Sequence, residues 1–267
     1  MAGLLSGTIF LQWQKPQPLA KHLSEFQKKG ISPIEKYFKG AGGQIYSWYT
    51  KKKERPTLLL IHGSPGDWTA WKKLLLNSSI AHDYQIVVFD RPTFGLSTVQ
   101  ANSLAEQSRA LQPLMELFCH PCTLVGHSYG SALALRLAID YPNHIEHLLS
   151  IAGTVAAPYQ EARWYNRWGA TKLGQLLMSR NFLQSNTEML LLANDLQKVE
   201  APFQKFDGQS IFIQGGADFL VSDQTADYIR QIWPKAKIHE YPNKNHFLIW
   251  TDIALVVETL KTLFSEN

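Results

Sequence analysis

Apolar runs of strand length, each separated from the next by a helical pattern, constrain the fold of this chain more than any other feature. Leu58–Ile61 and Ile86–Phe89 contain only apolar residues, which is typical of strands in a parallel sheet whose two faces are both covered. Helical patterns between such runs indicate βαβ units. We therefore predict an α/β domain of about eight mostly parallel strands flanked by helices.

The predicted elements divide the chain into three parts: an N-terminal arm (1–40), a core (41–155 and 205–267) and a helical cap inserted at 156–204. The cap is predicted because it has no strand-like run and is dense in aromatic residues. The predicted strands are Ile34–Phe38 (the weakest), Gln44–Tyr49, Thr57–His62, Gln85–Asp90, Thr123–Gly126, His147–Ala152, Ser210–Gly215 and Lys237–Tyr241. The predicted helices of the core are Thr69–Asn77, Leu104–Phe118, Tyr129–Asp140, Asp223–Ile232 and Asp252–Phe264.

Composition limits the possible partners. The 267 residues are 45% hydrophobic and carry a net charge of +4, and the cations are dispersed apart from Lys51–Arg55, which is typical of a solvated turn. We predict no nucleic-acid partner. No stretch reaches the ~18 apolar residues of a membrane span. Met1–Trp13 is uncharged and lacks the basic start of a signal peptide, so an arm packed on a cytoplasmic protein is expected, with an exported form as the alternative. The sequence does not indicate an oligomeric state.

Cys119 and Cys122 are the only cysteines, and they are spaced as C-x-x-C. This spacing occurs in redox pairs and in half of a zinc site, but the chain has no second thiolate pair to complete that site. We interpret the segment as a helix-to-strand connection with two semi-buried thiols, and we predict neither a metal nor a catalytic redox role. No organic cofactor is predicted either.

The strongest local signal is Gly126-His127-Ser128-Tyr129-Gly130, which follows a buried-strand pattern and precedes a helical one. A serine on a sharp strand-to-helix turn sits in strained backbone, where small neighbours at i−2 and i+2 relieve crowding. The N-terminus of the following helix adds N–H groups and positive potential. Ser128 is therefore the predicted nucleophile.

A serine hydroxyl needs a base, and nine histidines compete for that role. His246 lies in a polar loop just past the last predicted strand, at the sheet edge where α/β folds bind ligands. The base in turn needs an orienting acid, and Asp218 follows another strand at the same edge. The predicted catalytic residues are thus Ser128, Asp218 and His246, in that chain order.

An oxyanion hole requires two N–H donors near the nucleophile. Tyr129 supplies one, directly after Ser128. The turn at residues 62–66, His62-Gly63-Ser64-Pro65-Gly66, supplies the other, and we assign it to the N–H of Ser64 because Pro65 has none.

From about Gln44 to Phe264 the chain resembles the α/β-hydrolase superfamily. Five segments in the right order carry the resemblance: the 62–66 turn, Asp90–Ser97, Gly126–Gly130, Gly215–Val221 and Asn245–Phe247. Thr93 and Ser131 depart from it, since glycine is usual at both positions. Haloalkane dehalogenases and epoxide hydrolases are similar to this chain but carry aspartate as nucleophile, which argues against those activities.

The predicted function is hydrolysis of a small or medium hydrophobic carboxylic ester or related acyl compound through an acyl-enzyme. Tyr159, Trp164, Tyr165 and Trp168 of the cap are predicted to contact that substrate, with packing alone as the alternative. The triad of Ser128, Asp218 and His246 would also suit a C–C bond hydrolase, thioesterase, amidase or peptidase. A ligand receptor of this fold is the alternative outside enzymes.

Overall fold

Eight strands form one sheet in the computed structural model, which describes residues 17–40, 42–52 and 54–265. The strands lie in the order β1-β2-β4-β3-β5-β6-β7-β8. The pairs β1–β2 and β2–β4 are antiparallel, and the others are parallel. The strands are β1 (Pro33–Gly40), β2 (Gly43–Thr50), β3 (Thr57–Ile61), β4 (Gln85–Phe89), β5 (Cys122–His127), β6 (Ile145–Ile151), β7 (Gln209–Gly215) and β8 (Lys237–Tyr241). The predicted α/β architecture is confirmed.

Helices cover both faces of the sheet. They are α1 (Leu23–Lys28), α2 (Lys72–Leu75), α3 (Ser78–Asp83), α4 (Leu104–Ala110), α5 (Gln112–Phe118), α6 (Tyr129–Asp140), α7 (Trp164–Gly169), α8 (Lys172–Leu177), α9 (Arg180–Phe203), α10 (Thr225–Ile232), α11 (Leu248–Thr251) and α12 (Ile253–Ser265). Short 3₁₀ turns lie at Leu19–Lys21, Trp68–Trp71, Pro142–His144 and Ala157–Tyr159. Helices α7 to α9 lie between β6 and β7, inside the segment predicted as the cap.

The all-apolar strands are explained by two cores, one on each side of the sheet. Leu58 and Leu60 of β3 lie in the core beneath α2 and α12. Leu59 and Ile61 of the same strand lie in the opposite core, with α4, α5, α6 and part of α9. Because side chains alternate along a strand, a strand that is buried on both faces must be apolar at every position.

Two of the predicted helices differ from the observed ones. The segment 104–118 is two helices with a break at Leu111, since Pro113 has no N–H to continue the hydrogen-bond ladder. The segment 69–77 is a 3₁₀ turn followed by short α2, and α3 begins beyond it at Ser78. Asn77 caps α3 by accepting hydrogen bonds from the backbone N–H groups of Ser79 and Ile80.

Cys119 and Cys122 form a disulfide, which corrects the prediction of two semi-buried thiols. Both residues are buried, and their Cα atoms lie 4.5 Å apart. This separation is within the range that a disulfide can bridge. The pair joins the end of α5 to the start of β5.

Residues 33–40, which the predicted boundaries assign to an N-terminal arm, form β1 and pair with β2 along its whole length. The prediction for Met1–Trp13 lies outside the described residues. Within residues 17–40, 42–52 and 54–265, no helix has the length and apolar character needed to cross a membrane.

Candidate active site

Ser128 lies at the junction of β5 and α6, with φ of 53° and ψ of −124°. A positive φ is strained for any residue with a Cβ, and the surrounding backbone holds Ser128 in it. Its N–H donates to the carbonyl of Ile151 at 3.0 Å, and its carbonyl accepts from the N–H of Ser131 at 2.9 Å. Ser128 is 8% exposed, so its side chain lies in a nearly closed site.

The two glycines around Ser128 are required by close backbone packing. A Cβ on Gly130 would overlap the carbonyl oxygen of Ile61 at the end of β3. A Cβ on Gly126 would lie 2.6 Å from the carbonyl oxygen of Gly130. Ser131, where the family usually has glycine, donates its hydroxyl to the carbonyl of Gly126 at 2.9 Å and so braces the same turn.

His246 and Asp218 lie together at the carboxyl edge of the sheet. The Nδ1 of His246 donates to Oδ2 of Asp218 at 2.8 Å. The other carboxylate oxygen accepts from the N–H groups of Leu220 at 2.8 Å and Val221 at 2.9 Å. The side chain of Asp218 is fully buried. Three hydrogen bonds fix the orientation of this carboxylate, which can hold the imidazole in a single tautomer.

His127 holds the loop that carries His246 in place. Its Nε2 donates to the backbone carbonyl of His246 at 3.0 Å, and the two rings lie 5.0 Å apart. Burial lowers the pKa of His127 to about 3, and proximity to His246 adds to that effect. A neutral imidazole is therefore part of the structural frame that positions the predicted base.

The 62–66 turn packs directly on the nucleophile turn. A Cβ on Gly63 would lie 3.1 Å from the Cβ of Ser128, so any larger residue here would crowd the nucleophile turn. His62 shapes the turn, because its Nδ1 donates to the carbonyl of Gly63 at 2.8 Å and its Nε2 accepts from the N–H of Arg91 at 2.9 Å. Burial and the nearby Arg91 guanidinium hold the pKa of His62 well below its ordinary value. His62 is thus a neutral structural residue.

A buried ionic cluster lies behind this turn and includes a residue of the cap. The Glu188 carboxylate on α9 accepts from Arg91 Nη1 at 2.6 Å and Nη2 at 3.1 Å. It also accepts from Gln107 Nε2 at 2.8 Å and from the hydroxyl of Ser64. Arg91 donates in addition to the carbonyl of Gly63 at 3.1 Å. The side chains of Arg91 and Glu188 are both fully buried.

Tyr129, the residue after Ser128, closes this cluster with its side chain. The Arg91 guanidinium lies 4.5 Å from the centre of the Tyr129 ring, a cation–π distance. The hydroxyl of Tyr129 accepts from Gln107 Nε2 at 3.2 Å. Burial, with Glu188 nearby, raises the pKa of Tyr129 well above its ordinary value. As the first residue of α6, Tyr129 has an N–H without an acceptor inside that helix.

The turn after β4 explains one departure from the family pattern. Thr93 has φ of 74°, in the left-handed region where glycine is the usual residue. Its hydroxyl contacts the carbonyl of Val99 at 3.4 Å. In the same turn the Asp90 carboxylate accepts from the N–H groups of Trp68 at 2.9 Å and Leu96 at 2.7 Å.

The predicted substrate contacts in the cap lie at the surface. Trp164 is 78% exposed, and Tyr159, Tyr165 and Trp168 are also exposed. Tyr159 packs against Tyr228 of α10, with ring centres 5.9 Å apart. The structure thus brings Asp218 to His246 and the 62–66 turn to Ser128, while it leaves these four aromatic side chains outside that cluster. Their role in substrate binding stays a prediction.

Glu188, Arg91 and Gln107 are the residues of the site that sequence reasoning missed. Arg91 lies inside a segment that carries the family resemblance, and a buried cation there requires a buried anion. That requirement is the one available signal, and it does not identify the anion. Among the described residues, no group of three or more His, Cys, Asp or Glu side chains is arranged to hold a metal.

Comparison with known proteins identifies the family of this chain. A model of the alpha/beta hydrolase family matches residues 58–259. The sn-1-specific diacylglycerol lipase ABHD11 of Mus musculus is 26% identical over 72% of this chain and 76% of its own length. Epoxide hydrolase 3 of Xenopus tropicalis is 28% identical over 61% of this chain, but the match spans only 45% of that protein.

Solved structures support the same fold. The 2-hydroxy-6-oxo-6-phenylhexa-2,4-dienoate hydrolase of Rhodococcus sp. strain RHA1 superposes with a TM-score of 0.68 at 16% identity. The superposition covers 88% of this chain and 99% of that one. At this identity the likeness concerns the fold alone.

Proposed function

Because the chain belongs to the alpha/beta hydrolase family, whose model spans residues 58–259, we propose that it is a serine hydrolase acting on a carboxylic ester. The observation that carries the proposal is the hydrogen bond between His246 Nδ1 and Asp218, at the same sheet edge as the strained turn that holds Ser128. An acid that orients a histidine beside an elbow serine is the arrangement used for acyl transfer.

The proposed reaction has two halves. His246 Nε2 removes the proton from the Ser128 hydroxyl as its oxygen attacks the ester carbonyl, and Asp218 stabilises the imidazolium. The N–H groups of Ser64 and Tyr129 bind the developing oxyanion. The tetrahedral intermediate then releases the alcohol, which takes the proton from His246. Water, deprotonated by His246, attacks the acyl-enzyme, and the acid leaves with Ser128 restored.

Glu188 and Arg91 have a positioning role in this proposal. Glu188 accepts from the hydroxyl of Ser64, and Arg91 donates to the carbonyl of Gly63, which belongs to the same peptide group as the Ser64 N–H. An oxyanion donor is effective only when it is held in place before the reaction. The buried ion pair supplies that rigidity, and through Glu188 the cap helix α9 contributes to it.

The apolar surroundings of the base support a hydrophobic substrate. Phe219 follows Asp218, Phe247 follows His246, and their rings lie 6.0 Å apart. The ring of Phe247 meets that of His246 edge-on at 5.9 Å. Aromatic side chains next to the reacting groups favour small or medium hydrophobic acyl esters over strongly polar ones.

The test is labelling with a fluorophosphonate probe, read as a mass shift of the intact protein and mapped by peptide sequencing. We expect one label on Ser128 and none on Ser128→Ala. A panel of aryl esters of increasing acyl length, thioesters, amides, dienolic diketones and epoxides then follows, and we expect the highest kcat/KM on an ester. Label at another residue, or turnover of epoxides with none of esters, would overturn the proposal.

A further inference from the structure

The small cap helix α8 exposes all three of its leucines. Its leucines Leu173, Leu176 and Leu177, at i, i+3 and i+4, are 58%, 81% and 67% exposed. Gly174 is the one buried residue of this helix, and a Cβ on it would lie 2.8 Å from the Cα of Gly169 in α7. Lys172 and Gln175 are exposed. In an ordinary surface helix the apolar stripe faces the protein and the polar residues face water.

Helix α7 also exposes its large apolar side chains. Trp164 and Trp168, one helical turn apart, are exposed, whereas Asn166 is buried. The Asn166 side chain donates to Oδ1 of Asn186 on α9 at 3.0 Å, and Asn186 donates back to the Asn166 carbonyl at 3.0 Å. This amide pair holds the Asn166 side of α7 against α9. Trp164, Trp168, Leu173, Leu176 and Leu177 therefore form an outer cap face that is apolar by construction.

The charges on these two helices and on the residues that flank them are almost all positive. Between residues 160 and 180 the chain carries the cations Arg163, Arg167, Lys172 and Arg180 and a single anion, Glu161. All five side chains are exposed. Exposed leucine and tryptophan bordered by lysine and arginine are the pattern of helices that lie in the headgroup region of a membrane.

We propose that the outer cap face docks on a lipid surface that carries anionic headgroups. Such a surface supplies both an apolar phase for the leucines and tryptophans and negative charge for the cations. A second copy of this chain would suit the face less well, because pairing two such faces would bring like charges together. The docking goes beyond the proposed hydrolysis and does not depend on it.

Helix α7 is linked to the candidate active site through α9. Helices α7 and α8 follow β6 at the carboxyl edge of the sheet, the edge of Ser128 and Asp218. They are tied through Asn186 to the part of α9 that carries Glu188. Phe219, next to Asp218, is a further exposed aromatic at this edge. Docking would therefore bring the entrance of the site towards the lipid.

Vesicle flotation of the full-length Ser128→Ala variant tests the proposal, because this variant separates binding from hydrolysis. We expect binding to vesicles of phosphatidylcholine mixed with phosphatidylglycerol, and weaker binding to phosphatidylcholine alone or at high salt. Adding Leu176→Ser and Leu177→Ser should weaken binding by at least about tenfold, which is the effect of losing ~1.4 kcal/mol. Adding Arg163→Gln and Arg167→Gln should weaken binding to the anionic vesicles selectively.

Leu117→Ser is the matched control. Leu117 is also an exposed leucine, but it lies on α5, which leads to the opposite edge of the sheet, and its replacement should leave binding unchanged. Thermal unfolding should show every variant folded, since each change is at the surface. No binding to either vesicle, or equal binding by the Leu176/Leu177 variant, overturns the proposal. The proposal is also overturned if the protein does not bind vesicles and light scattering shows a dimer that the Leu176/Leu177 variant abolishes. It is likewise overturned if vesicle binding depends on the uncharged N-terminal stretch instead, that is, if it is lost in the double variant Leu4→Ser with Leu5→Ser.

Discussion

The guanidinium of Arg91 and the carboxylate of Glu188 form a two-point ion pair, with N–O distances of 2.6 and 3.1 Å and no exposed side-chain surface. The two residues are 97 positions apart and belong to different layers of the molecule, the turn after β4 and the cap helix α9. A buried pair of this kind is costly to break, because removing one partner leaves the other charge unpaired in a low-dielectric interior.

The first prediction concerns this ion pair. Glu188→Gln should lower the free energy of unfolding by about 3–5 kcal/mol, because it leaves the Arg91 charge buried without a counter-ion. The double variant Arg91→Met with Glu188→Leu should be more stable than Glu188→Gln, since neither charge then remains. Urea unfolding of the single and double variants measures both effects. A Glu188→Gln protein as stable as the wild type would contradict the prediction.

Ser64→Ala probes the catalytic side of the same cluster. It keeps the backbone N–H but removes the hydroxyl that donates to Glu188. We expect kcat to fall roughly tenfold, less than the ~10²–10³ of a lost oxyanion donor, with KM little changed. Steady-state kinetics on the best ester of the panel gives this separation. A change in KM alone would place Ser64 in substrate binding instead.

The second prediction concerns the triad. Ser128→Ala and His246→Ala should each lower kcat by at least about 10³, and the double variant should lose little more, because the two groups act as one unit. Asp218→Asn should also cause a large loss, up to about 10⁴, since an amide can hold the imidazole in the wrong tautomer. A single variant that retains more than about a tenth of kcat would exclude its residue from the mechanism.

The third prediction concerns Gly130. Gly130→Ala should cost about 1–3 kcal/mol or more of stability, because the new methyl group meets the backbone of Ile61 and neither strand nor helix can move aside. Calorimetry should show a lower Tm together with lost activity. Gly42→Ala is the control: no atom lies within 4 Å of its new Cβ, so only the backbone strain of φ 76° remains. Equal Tm values for the two variants would be inconsistent with this account.

The fourth prediction concerns His127. Its pKa is about 3 in the folded protein against about 6.5 in an unfolded chain. Between these values the unfolded chain binds a proton that the folded protein does not, so stability falls as pH falls below about 6.5. The contribution is complete above that pH, and the slope is about 1.4 kcal/mol per pH unit.

His127→Gln isolates this effect, because every other titrating group is shared with the wild type. The free energy of unfolding, measured between about pH 5 and pH 7, should depend less steeply on pH in the variant, by about one proton. His82→Gln controls for loss of an exposed imidazole. Parallel pH profiles for the wild type and His127→Gln would show that His127 is protonated in the fold.

The strands could be predicted from sequence because their signals are local, and the candidate catalytic residues are identified by their places after those strands. A run such as Leu58–Ile61 indicates a doubly buried strand by itself, and Ser128, Asp218 and His246 each directly follow such a run or lie close behind it. Glu188 could not be predicted this way. It stands in a helix among Asn186, Thr187 and Met189, and only the distant Arg91 makes its burial favourable. Spacing alone also did not predict the disulfide between Cys119 and Cys122.

The ion pair also limits how the cap can change over evolution. Ser128, Asp218 and His246 are carried by the strand ends of β5, β7 and β8, whereas the cap is one continuous excursion between β6 and β7. The length and sequence of the cap can therefore change during evolution without moving the proposed catalytic residues, except at Glu188. A cap from a relative that lacks an acid at the position of Glu188 would leave the buried guanidinium of Arg91 without a counter-ion. Exchange of caps between relatives should therefore give folded proteins when the residues at positions 91 and 188 are exchanged together.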